Sequence, residues 1–118
     1  QSDIIPRIAS GFCSGISRTD GPCGALTGAV MGLGLAFGRD EPADSDESKM
    51  KIGHCYAKTA QFFKRFEARF GTTTCTGLTG CNFSIPEDLA RFREEKRIER
   101  CYDFVEEAAR IAAELMEG

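Results

Sequence analysis

Six cysteines, Cys13, Cys23, Cys55, Cys75, Cys81 and Cys101, are the residues of this 118-residue chain whose type and placement could do chemistry. A thiolate binds soft metals and attacks disulfides, and a helix N-terminus favours that charged form. Cys23 follows Gly21-Pro22, a pattern that opens a helix, because proline is tolerated in the first turn. Cys75 follows three threonines that can cap in the same way. Cys81 comes after Gly80, on a turn. Cys101 lies on the apolar face of the last helix, near its start. Four thiols near helix ends and turns, Cys23, Cys75, Cys81 and Cys101, form a candidate soft-metal set. Buried structural thiols and disulfide partners are open alternatives for the same residues.

The spacing excludes several familiar sites. No C-x-x-C is present, so neither a zinc ribbon nor a thioredoxin-type dithiol is supported. No C-x-x-C-H is present, so no covalent haem is expected. His54, the single histidine, and its neighbour Cys55 read as side chains at the edge of a core. Gly32-x-Gly34 lacks the preceding strand that a nucleotide fingerprint needs. The acidic run RDEPADSDES, residues 39–48, lacks the glycine and distal glutamate of a calcium loop. No serine–histidine–aspartate set or paired carboxylates suggest a hydrolase, and no catalytic residue is assigned.

The elements that must hold these thiols are helical. The block GPCGALTGAVMGLGLAFG, residues 21–38, carries no charge. Its apolar positions Leu26, Val30, Leu33 and Phe37 recur every three or four residues. Gly24, Gly28 and Gly32 leave one face bare, which can meet a second copy of the chain or be covered within one chain. Eighteen helical residues span about 27 Å, short of a bilayer core of about 30 Å, so the expectation is a central helix buried on all sides. A short helical piece over residues 3–9, interrupted by Pro6, and a Gly/Ser-rich loop over 10–21 precede it. The longest helix is expected from about Glu47 to Phe70, with Ile52, Tyr56, Ala60, Phe63, Phe66 and Phe70 as its apolar stripe. One short turn follows within TTTCTGLTGCN, then a helix opened by Pro86. The last helix runs from about Glu99 to Met116, with Cys101, Phe104, Val105, Ala108, Ile111, Ala112 and Leu115 inward. The expected fold is all-α: a single domain over residues 1–118, a compact bundle of four to five helices around the Gly-rich helix, without strands.

Charge narrows the partners. Fifteen basic residues against eighteen acidic ones give a net charge of −3, with signs interspersed. That is no electrostatic footprint for nucleic acid or an anionic membrane. The chain opens without a charged segment leading into an apolar one, so the cytoplasm is the expected compartment. It also begins at Gln1 rather than Met, so a leader or more can precede it.

The run Cys23-Gly24-Ala25-Leu26-Thr27-Gly28, continued by AVMGLGLAFGRD, resembles the C-G-A-x-x-G segment of the C_GCAxxG_C_C family of redox-active proteins. RIASGFCSGISR resembles the Gly-rich stretch before that motif. FFKRFEARFGTTTCTGLTGCN resembles the family's long helix and its C-x-x-L-x-G segment. CYDFVEEAARIAAEL resembles its closing cysteine helix. Nearly the whole chain is covered, in order. The module is also similar to the non-haem part of split-Soret cytochromes. The resemblance implies a small redox protein with an iron–sulfur cluster on Cys23, Cys75, Cys81 and Cys101, serving electron transfer or sensing rather than substrate turnover. It implies a redox partner protein. Cys13 stands where the family more often has glycine and competes with Cys81 for the fourth place. The family's usual first helix, with its own cysteine, is absent, so the chain starts inside the family pattern. A metal-free thiol/disulfide oxidoreductase and a structural zinc binder remain the alternatives.

Overall fold

The computed structural model describes residues 3–42 and 44–117; Ala43, in the acidic turn, lies outside them. Six right-handed helices are found among these residues: α1 Ile5–Ala9, α2 Gly24–Phe37, α3 Asp46–Phe70, α4 Cys75–Thr79, α5 Pro86–Glu94 and α6 Ile98–Glu117. The fold is all-α. Among the described residues the only extended pairing is an isolated bridge between Pro22 and Thr74. Pro6 stands in the first turn of α1 and opens that helix instead of breaking it.

Helix α2 carries four glycines, each about 1 kcal/mol worse than alanine in a helix interior, so packing has to hold it. Leu26 and Leu33 are fully buried and face α3 and α6. They join Phe62 and Phe66 of α3 and Phe104, Ala108, Ile111 and Leu115 of α6 in one apolar core. Ser45 caps α3 by accepting from the Ser48 amide, and Gly71 ends it in the left-handed conformation, φ 85°. Thr74 caps α4, accepting from the Gly77 amide. Among the described residues, no buried side-chain nitrogen or oxygen lacks a partner.

Three expectations need correction. The stripe of α3 is carried by Phe62 and Phe66, while Tyr56 is 67 % exposed. The adjacent phenylalanines 62 and 63 left the phase of that helix ambiguous, and the first half of α3 lacks the neighbours that bury the second. Helix α2 is not covered on every side either: Leu35 is 88 % exposed, and a side chain built at Gly24 or Gly28 would meet open space. The bare glycine face instead lines one wall of an open apolar groove, opposite Val105, Ala109 and Met116 of α6.

The third correction concerns residues 10–21, which are not a plain loop. A 3-10 turn, Ser10–Phe12, leads into Cys13–Arg18, where Ser14, Gly15, Ile16 and Ser17 all lie in the left-handed region, with φ between 54° and 69°. This is a left-handed helical turn, unfavourable by roughly 1–2 kcal/mol for each residue other than glycine. Gly15 is buried against Cys75: a Cβ added to it would stand 2.7 Å from Cys75 Cβ. The turn is held by the Gly15 carbonyl, which accepts from the Gly21 amide at 2.8 Å, and by the Ser17 hydroxyl, which donates to the Gly11 carbonyl at 2.9 Å. No helix among the described residues is long and apolar enough to cross a membrane.

Candidate functional site

Two backbone bonds fasten the start of α2 to the start of α4. The Cys23 amide donates to the Thr73 carbonyl at 2.8 Å, and the Cys75 amide donates to the Gly21 carbonyl at 3.1 Å. Pro22, which has no amide to offer, sits between them opposite Thr74. The extended segments 21–23 and 72–74 thus run side by side, and each delivers a cysteine to a helix start. Cys23 is the N-cap of α2 rather than a residue of its first turn, and Cys75 is the first residue of α4. Cys101, at the end of the first turn of α6, packs with Cys23 against the core.

These three thiols share one electrostatic neighbourhood. Burial pushes Cys75 up from its ordinary 9.0 to about 11, and the charges of Cys23, Cys101 and Asp20 push the same way, while the Thr79 hydroxyl opposes them with a hydrogen bond. Burial raises Cys23, and the nearby backbone amides of Ala25 and Leu26, at the start of α2, oppose it. Burial raises Cys101 as well, with Cys23 the charge it feels. Without a bound cation the three sulfurs are therefore held as neutral thiols, and a thiolate on any one of them disfavours the next.

Cys81, expected as the fourth member, is engaged elsewhere. It is fully buried, and its sulfur accepts from the Arg91 guanidinium at 3.6 Å. Its amide donates to the Thr79 hydroxyl. The Gly80 turn, expected to approach the centre, faces two arginines instead: Arg91 donates to the Gly80 carbonyl at 2.8 Å and Arg97 to the Thr79 carbonyl at 2.6 Å. Cys13 is exposed and lines a small hollow with Gly24, Thr27 and Gly28 at the start of α2. His54 stacks near Phe37, ring centroids 5.0 Å apart. That is the far end of α2, about 20 Å from Cys23 at 1.5 Å per residue, and Cys55 is its neighbour.

A single tetrahedral ion requires its sulfurs within about 4 Å of one another, given metal–sulfur bonds near 2.3 Å. Among the described residues no three histidine, cysteine, aspartate or glutamate side chains are gathered in that way. The three thiols feel one another's charge. Sequence reasoning missed the residues that shape this site, Gly15, Thr79 and Arg91. Gly15 carried a faint signal, as the one glycine inside CSGISR. Thr79 and Arg91 carried none, since their roles depend on how the Gly80 turn folds back.

A family model described as putative redox-active protein (C_GCAxxG_C_C) matches residues 1–115 of the chain. No curated protein and no solved structure matches it.

Proposed function

The chain belongs to the family of putative redox-active proteins C_GCAxxG_C_C, and from that premise we propose that it is an electron carrier whose iron–sulfur cluster is held by Cys23, Cys75 and Cys101. The observation that carries the reading is that three thiols from three elements share one electrostatic neighbourhood. Cysteine thiols suit a polynuclear iron–sulfur group, for which they are the usual protein ligands.

The direction of the pKa shifts favours the cluster over disulfide exchange. An exchange nucleophile needs a lowered pKa, whereas all three thiols are raised. A bound cationic group removes that penalty by taking the place of the protons. When bound, an iron–sulfur group supplies a one-electron couple. The chain's part is to bind and tune it. The Ala25 and Leu26 amides stabilise negative charge on the Cys23 sulfur, and the Thr79 hydroxyl does so for Cys75. Such donors favour the more negative, reduced state and raise the potential. The reading calls for a redox partner protein and for a reducing compartment such as the cytoplasm, where thiols stay free.

Anaerobic reconstitution with iron and sulfide tests this. Brown protein with visible charge-transfer absorption, and iron and sulfide retained through gel filtration, is the expected result. Colourless protein that retains neither would overturn it.

A further inference from the structure

An iron–sulfur cluster ordinarily takes four protein ligands, and the centre offers three thiols. The structure narrows the choice of the fourth. For Cys81 to join, its sulfur would have to leave the Arg91 guanidinium, and the Gly80 turn would have to shed the bonds from Arg91 and Arg97. Cys55 sits beside His54, at the far end of α2. Cys13 has no such ties. Its side chain is exposed, beside the first turns of the helix that Cys23 caps. Two residues on, Gly15 lies against the Cys75 side chain. The segment Cys13–Gly15 therefore touches both helices whose starts carry Cys23 and Cys75. Space is open next to it, because nothing stands within 4 Å of where a Cβ at Gly24 or Gly28 would lie. The left-handed turn that follows is unfavourable for each of its non-glycine residues, a cost that a rearrangement of the turn would relieve.

We propose that Cys13 is the fourth thiol of the centre, drawn in as the Cys13–Arg18 turn closes over the loaded site, while Cys81 stays with Arg91. This rests on the iron–sulfur reading above. On ligation the thiol loses its proton to solvent as its sulfur binds iron, and no oxidant is required.

The test is cysteine alkylation by iodoacetamide, mapped by mass spectrometry on the full chain before and after anaerobic loading with iron and sulfide. Before loading, Cys13 should react fastest and Cys81 slowest. After loading, Cys13 should be protected at least tenfold together with Cys23, Cys75 and Cys101. The Cys81→Ser variant should load as the parent does, whereas Cys13→Ser should retain less iron or show an altered visible spectrum. Protection of Cys23, Cys75 and Cys101 with Cys13 still fully reactive would overturn this inference and leave the cluster reading standing. Protection of none of the four would remove both.

Discussion

The core-facing side of helix α2 and its N-terminal end are built on opposite principles. Along the core-facing side, Leu26 and Leu33, with Phe62, Phe66 and Ile111 of the helices packed on them, are fully or almost fully buried, in ordinary right-handed helices. At the N-terminal end, two extended segments pair, three thiols lie within reach of each other's charge, and Ser14, Gly15, Ile16 and Ser17 wind left-handed. Hydrophobic burial stabilises the first region; the second keeps an unfavourable backbone and disfavoured charges next to it. The difference teaches where stability and function are separated: the core anchors α2 and α6, and α2 and α6 carry Cys23 and Cys101 to a place that would not hold together unaided.

Cutting into the core gives the largest effect expected. Phe66→Ala removes a fully buried ring that touches Phe62 and Phe70 and should cost about 3–5 kcal/mol, read as a lower urea midpoint. If the variant unfolds at the parent's midpoint, the three-helix core is not what holds the molecule.

Changes in the left-handed turn should be smaller and local. Gly15→Ala meets both a positive φ and the Cys75 side chain, and should cost about 1–3 kcal/mol. It should also change how readily Cys75 is alkylated, a readout that a core cavity would not move selectively. Ile16→Gly relieves a left-handed β-branched residue and should be neutral or stabilising by up to about 1 kcal/mol. Clear destabilisation by Ile16→Gly would contradict the left-handed turn.

A pH dependence of the metal-free protein is expected as well. Cys75 titrates near 11 in the fold and close to 9 when unfolded, so between those values the unfolded chain has already lost the proton that the folded one keeps. The contribution of Cys75 should therefore be fully present below about pH 9 and be lost as the pH rises towards 11. Thermal melts should show this, and Cys75→Ser should flatten the fall. A metal-free parent that gains stability over that range would contradict the burial of the thiols.

Much of the right-handed framework could be read from the chain because it rests on local signals. The uncharged block, Gly71 after Phe70, Pro86 and the face of Phe104, Ala108, Ile111, Ala112 and Leu115 each mark an element boundary or a buried side, while Val105, expected inward with them, is exposed. The cysteine motifs, read through the family they resemble, pointed to Cys23, Cys75, Cys81 and Cys101 as one set. What local signals do not carry was missed. The fate of Cys81 depends on Arg91, ten residues away on another helix. The left-handed turn has one glycine where such a backbone would suggest several, so SGISR reads as an ordinary loop. The choice of Phe62 over Phe63 is decided by which helices pack on α3, not by period.

The central claim is that Cys23, Cys75 and Cys101 form one centre. Iron and sulfide content per chain after anaerobic reconstitution, compared across single Cys→Ser variants, tests it most directly. Loss of most of the bound iron in each of Cys23→Ser, Cys75→Ser and Cys101→Ser, with Cys55→Ser retaining the parent's content, is the result predicted. Equal iron content in all four variants would contradict it.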